Sequence, residues 1–164
     1  EYDGLLLPGV GNFDPAIRSI RDYSALGFHD FVKDKIPVLG ICLGMEMFFQ
    51  QSQEGKESGL DVMSGEVVLL PDTMKIPHMG WNNLEITNDS KILEGVDNDS
   101  WVYFVHSYRA KPNDEKIIVA NADYGIKVPA VVENGLFFGT QFHPEKSGKV
   151  GSLMIKNFLR VCTK

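Results

Sequence analysis

Cys42 is one of only two cysteines in the chain and stands between two glycines, in Gly40-Ile41-Cys42-Leu43-Gly44. The run before it, Pro37-Val38-Leu39-Gly40-Ile41, is apolar, carries β-branched residues and starts with proline. It reads as a buried strand of a parallel sheet. Leu43 to Gln51, rich in Met, Phe, Glu and Gln, reads as a helix that ends near Gly55. Cys42 therefore falls on a tight strand-to-helix turn. Gly-x-Cys-x-Gly is the thiol form of the nucleophile elbow, which lifts a reactive side chain above a sheet. A helix N-terminus behind the thiol is expected to lower its pKa. The N–H of Leu43 is placed to donate to an oxyanion. The competing reading is a buried structural cysteine in a glycine-rich turn.

A nucleophilic thiol needs a base, and the base needs a group that orients it. His143 ends the run "GLFFGTQFHPEK" at the C-terminal edge of a strand, where sites gather in α/β sheets. Pro144 favours an extended backbone at His143. Residues two apart on an extended chain point the same way, so Glu145 can turn its carboxylate to the imidazole. It would then fix the tautomer and stabilise the imidazolium. A histidine capping a strand beside a solvated glutamate is the plainer alternative. Of the other histidines, His29 reads as a helix-surface residue, while His78 and His106 lie in "IPHMGW" and "YFVHSY".

A second oxyanion donor is expected from a loop after another strand. Pro8-Gly9-Val10-Gly11-Asn12 fits, since its glycines let backbone approach a substrate. An ordinary tight turn would look the same.

The whole chain must position these groups. It has 164 residues, enough for one domain with a sizeable core. Hydrophobic residues make up 43% and charged residues 23%, an ordinary globular balance. The formal net charge of −6 argues against a nucleic-acid surface. No apolar run approaches the roughly 20 residues of a membrane span, and no signal peptide is visible. Two distant cysteines without Cys-x-x-Cys spacing argue against a disulfide framework or a zinc site and suit a reducing, cytoplasmic setting. The chain opens at Glu1 and enters a strand at once, which suggests an upstream piece.

Tyr2–Leu7 reads as a strand. Asp14-Pro15 reads as an N-cap with proline at the first helical position, opening a helix toward Arg21. A second helix is expected over Ala25–Lys33. From about Ser64 short strands dominate: Glu66–Leu70, Trp81–Thr87, Trp101–Ser107, Lys116–Asn121 and Val128–Glu133. Asn134-Gly135 suits a type I′ turn before a returning strand over Leu136–Phe142. Val150, Leu153, Met154, Phe158, Leu159 and Cys162 have helical spacing and predict a terminal amphipathic helix. The pattern is one α/β domain over 1–164 whose sheet carries added antiparallel strands.

"PGVGNF", "GICLGM" and "GTQFHPEKS", in that order, resemble the class I glutamine amidotransferases. "PHMGWN" and "YFVHSYRA" are similar to the branch that supplies the glutaminase subunit of imidazole glycerol phosphate synthase, an enzyme of histidine biosynthesis. The resemblance runs from about Tyr2 to the last helix. It implies an α/β, flavodoxin-like mixed sheet with flanking helices, and an N-terminal strand and helix ahead of Tyr2. It implies a triad in which Cys42 attacks the glutamine amide carbon, His143 moves the protons and Glu145 holds His143. Gly9, Val10 and Leu43 would form the oxyanion hole. Gly11, Glu46, Glu54, Ser107 and Tyr108 would hold glutamine. Asn12, His78, Met79, Trp81 and Lys146 would face a partner, a cyclase subunit built as a barrel that uses the ammonia. No cofactor and no metal are implied. Trp81 could instead lie in the core.

At one position the chain departs from that family, which typically has glutamine four residues after the cysteine; here it is Glu46. An ionised carboxylate only accepts hydrogen bonds and would oppose a thiolate one helical turn away. Three alternatives stay open on the sequence: a class I subunit feeding another synthase, a noncatalytic binding subunit of the same fold, and a thiol hydrolase or chaperone-like relative.

Overall fold

The computed structural model describes residues 2–163 apart from 24–27, 29–31 and 33–34. The helix expected over Ala25–Lys33, and with it His29, lies largely outside the described residues.

The central sheet has six strands. β1 (Leu5–Leu7), β2 (Val38–Ile41) and β11 (Phe137–Thr140) run parallel, with β2 in the middle. β10 (Lys127–Asn134), β9 (Ile118–Asp123) and β6 (Glu85–Ile86) extend it antiparallel beyond β11. β2 is buried along its whole length, which is why its sequence is continuously apolar rather than alternating. Successive residues feed opposite faces. Leu39 and Phe138 join the cluster against the terminal helix, with Phe104, Phe142, Met154 and Phe158. Val38 packs on the other side with Phe13, Ile17, Met45 and Phe48.

Two smaller sheets stand beside it. β3 (Gln51–Ser52), β4 (Gly65–Leu69) and β8 (Tyr108–Pro112) form one; β5 (His78–Asn83) and β7 (Trp101–His106) form the other. Ser107 is the joint where the chain leaves β7 and enters β8, changing sheet.

The helices are α1 (Phe13–Tyr23), α2 (Leu43–Glu46) and α3 (Gly148–Cys162). Several expectations need correction. α2 has four residues and does not run on to Gly55. The carbonyls of Met47, Phe48 and Gln50 accept instead from the N–H groups of Leu60, Val62 and Gly59, so long-range backbone bonds replace further helical turns. Asp14 lies inside α1 rather than capping it, and its carboxylate accepts from Lys56 and Glu57 N–H at 2.9–3.0 Å. Those bonds, the one from Lys56 first, hold its pKa low. The β10–β11 turn centres on Gly135 and Leu136, one residue later than expected. Gly135, at φ 61°, takes the first central place, as a type II′ turn requires. The strand expected over Trp81–Thr87 is split between β5, which begins at His78, and β6. In α3 the face that packs inward is Gly151, Met154, Asn157 and Phe158, while Leu159 is exposed.

Candidate active site

The elbow is real and strained. Cys42 joins β2 to α2 at φ 53°, ψ −108°, a conformation that non-glycine residues rarely adopt. Its flanking glycines permit it. A Cβ at Gly44 would strike the Leu7 carbonyl of β1, and one at Gly40 would strike the Gly44 backbone. The Cys42 N–H donates to Thr140 O at 2.7 Å, which ties the elbow to the end of β11.

That strand end carries the other two groups. Glu145 Oε1 lies 2.6 Å from His143 Nδ1. The expected pairing is present, but the backbone route differs. His143 is extended at φ −99°, ψ 99°, whereas Pro144–Lys146 forms a single 3-10 turn that brings Glu145 back to Nδ1. Ser147 braces the pair. Its Oγ donates to His143 O at 2.6 Å and accepts from Tyr103 N–H at 3.0 Å, and His143 N–H donates to Tyr103 O at 3.0 Å. His143 is thereby clamped to β7, and it is 3% exposed.

Cys42 and His143 line one cleft of about 440 Å³, with Gly9, Val10, Gly11 and Asn12 on one wall and Val105–Tyr108 on the other. Leu43, Glu46 and Glu54 line it too. Every residue expected in the oxyanion hole or at glutamine thus reaches the same space. Val10 is 88% exposed at its rim. The interface residues separate by face along β5. Met79 and Trp81 are 62% and 53% exposed, so Trp81 is not a core residue. His78 is turned inward and is 3% exposed, so its side chain does not present itself to a partner. Lys146 is exposed near His143, and Asn12 is exposed before α1.

The electrostatics run against one expectation. The Cys42 thiol is pushed up to about 12, not lowered. Burial is the largest cause and the nearby Glu46 carboxyl the second; the Leu43 N–H and the Gln141 amide pull the other way but are outweighed. A four-residue helix has too few aligned peptides to reverse this. The resting cleft therefore holds a thiol, which sits 3.8 Å from Val105 O as a donor.

Glu46 also differs from expectation. It is buried at 5% exposure, and burial first, then the Glu54 carboxyl, raises its pKa to about 8. Near neutral pH it carries a proton and can donate, so the side chain is not restricted to accepting. Its folded pKa lies above the ordinary 4.5. The folded state therefore holds a proton that the unfolded chain has lost between those values, and stability falls as pH rises through that window. Glu46→Gln does not titrate. At pH 5 it should unfold near the wild-type temperature. At pH 8.5 it should be more stable by about 2 kcal/mol or more, roughly 5 °C in Tm. Thermal unfolding at the two pH values checks this, and an equal shift at both would show that Glu46 does not titrate there.

Three contributors lie outside the residues that the sequence singles out. Gln141 is fully buried and its Nε2 donates to Cys42 Sγ at 3.8 Å. Its place two residues before His143, at the end of the strand expected over Leu136–Phe142, could have marked it, because period-two residues share a face; β11 itself stops at Thr140. Ser147 and the carbonyl of Val105 act through tertiary geometry that no local pattern reveals. His106 and His78 bond to each other at 2.8 Å, with burial holding both at a pKa of about 4 and hence neutral.

On this α/β sheet a strained Cys elbow and a carboxylate-bound imidazole meet at one cleft. The chain matches the glutamine amidotransferase class-I family over residues 1–162 and belongs to it. Within that family it groups with subunit HisH of imidazole glycerol phosphate synthase. It is 44% identical over 160 residues to that subunit from Methanocaldococcus jannaschii, covering 97% of this chain and 81% of the relative. It is 46% identical over 160 residues to the subunit from Caldanaerobacter subterraneus, covering 96% and 79%. Among solved structures, a glutamine amidotransferase superposes with a TM-score of 0.73 at 18% identity, covering 99% of this chain and 80% of the other. A glutamine amidotransferase of Thermotoga maritima gives 0.63 at 20% identity, covering 95% and 61%. At those identities the solved structures speak to the fold alone.

Proposed function

We propose that this cleft hydrolyses the side-chain amide of glutamine through Cys42, His143 and Glu145. The chain is a glutaminase, the HisH-type subunit of imidazole glycerol phosphate synthase in histidine biosynthesis. The observation that carries the site assignment is the convergence of a strained thiol and a carboxylate-bound imidazole on one cleft.

The chemistry follows from the groups present. Cys42 Sγ attacks the amide carbon as its proton passes to His143. The carbonyl oxygen gathers negative charge, which the Leu43 N–H and backbone of the Gly9–Val10 loop are placed to meet. The C–N bond breaks as His143 returns the proton to nitrogen, giving ammonia and a thioester. His143 then takes a proton from water, whose oxygen attacks the thioester carbon; the C–S bond breaks as His143 gives that proton to Sγ, releasing glutamate and restoring the thiol. Glu145 keeps Nδ1 protonated and Nε2 free for both transfers. Because the resting thiol sits near pKa 12, thiolate forms only in concert with that transfer. Gly11, Ser107, Tyr108, Glu46 and Glu54 hold the substrate.

The ammonia goes to a cyclase partner, which we take to be a barrel docked on the face bearing Met79, Trp81, Asn12 and Lys146. Residues 1–164 act as one domain, and the setting is cytoplasmic. No helix among the described residues is long and apolar enough to cross a membrane. Glutamate and ammonia release from glutamine, measured with the cyclase partner and its nucleotide ligand, tests the reading. Equimolar release is expected, and no release from the assembled complex overturns it.

A further inference from the structure

One buried hydrogen-bonded chain is left unused by this mechanism. His78 and His106 are directly opposed residues of β5 and β7. His106 Nδ1 lies 2.7 Å from Tyr108 O, which can only accept, so the proton is on Nδ1 and Nε2 is bare. The bare Nε2, 2.8 Å from His78 Nδ1, must accept from it. His78 is then bare at Nε2, which faces the Asn82 amide nitrogen at 3.3 Å. The same nitrogen donates to Asp123 O at 2.9 Å, and Asn82 Oδ1 accepts from Asn83 N–H at 2.8 Å, which fixes the amide's orientation. Every proton in the chain has one allowed place. His78 is held flat between Phe104 and Tyr124, with ring centres 4.5 and 4.0 Å away. Both imidazoles are almost wholly buried.

The far end of this chain is a functional one. Tyr108 and Ser107 line the catalytic cleft, at the joint where the backbone changes sheet. The β5–β7 ladder ends at His106 and the β4–β8 ladder takes over at Tyr108, opposite Leu69, so the handover falls on Ser107. Ser107 O is held by Leu70 N–H at 2.9 Å, and Tyr108 O is gripped by His106. The His106 ring is itself aimed by His78, which does not line the cleft.

The geometry points to His78 as a positioning residue for glutamine: by donating to His106 it sets the Ser107–Tyr108 backbone that receives the substrate. The inference rests on the assignment of that backbone to glutamine binding. His78 touches no reacting atom, so its loss should weaken binding more than chemistry.

His78→Phe keeps the flat ring and removes the donor. His78→Asn keeps an N–H near the position of Nδ1. In the complex with the cyclase partner, His78→Phe should raise the glutamine KM about tenfold while kcat stays within about threefold, and His78→Asn should stay within about threefold on both. Nitrogen-15 NMR of the wild-type imidazoles at pH 7 supplies a second reading that needs no variant to fold. His78 and His106 should both be neutral with the proton on Nδ1. Protons on Nε2 in either ring would overturn the inference. So would an unchanged KM in folded His78→Phe, or a KM rise in His78→Asn equal to that in His78→Phe. A wild-type complex that releases no ammonia would instead strike the glutaminase assignment, leaving the NMR result to decide the hydrogen-bonded chain separately.

Discussion

Cys42→Ala should lower glutamine hydrolysis by about four orders of magnitude, to the level that binding and oxyanion donors sustain without a covalent route. The structure makes the expectation stringent. The other cysteine, Cys162, lies at the far end of α3 and not on the cleft, so nothing can substitute for the lost sulfur. His143→Ala should be comparably severe, because the thiol, raised to about 12, cannot ionise without an acceptor. The two substitutions together should cost little more than either alone, since both remove the same step. Glu145→Ala should keep at least about tenfold more activity than His143→Ala, because Glu145 orients the imidazole and reacts with nothing. Steady-state ammonia release by the purified variants checks all four. Near-normal turnover in Cys42→Ala would remove the covalent route, and a Glu145→Ala worse than His143→Ala would reverse the assigned roles.

Trp81→Ala should raise the dissociation constant for the cyclase partner about 30-fold, the effect of losing ~2 kcal/mol at an aromatic hot spot. Trp81 is 53% exposed and meets Tyr103 edge-on with ring centres 6.0 Å apart. Met79, 62% exposed, adjoins it on the same outward face of β5. Apolar side chains left this open on one strand face suit a covering surface, and Trp and Met are enriched at such places. Since the indole fills no buried cavity, the variant should keep its fold by circular dichroism. Titration of each variant against the partner measures the loss. Unchanged affinity with an intact fold would place the interface elsewhere.

How much of this is legible in the sequence depends on whether the deciding physics is local. The elbow can be read because β2 is buried on both faces and so spells an apolar run, while close contact with β1 demands Gly44. His143 and Glu145 can be paired by spacing, although the turn that joins them is a 3-10 turn rather than extended chain. The length of α2 is not legible. Met47, Phe48 and Phe49 are acceptable in a helix, but their carbonyls find partners in residues 59–62, further along the chain. Nor is the thiol's environment legible. A helix N-terminus predicts a lowered pKa, yet burial of Cys42 and the adjacent Glu46 set the opposite sign. Glu46 itself looks like a lost donor; tertiary burial raises its pKa to about 8 and restores one. His78 goes with Met79 and Trp81 in the sequence, and those two do face outward, whereas the alternation of β5 turns His78 in.

The central claim is that glutamine passes through a thioester on Cys42. Rapid acid quenching of the assembled complex during turnover, followed by mass spectrometry of the Cys42 peptide, tests it most directly. One glutamyl group should appear on Cys42 and be absent in Cys42→Ala. Steady turnover with Cys42 unmodified at every quench time, and with Cys42→Ala still active, would contradict it.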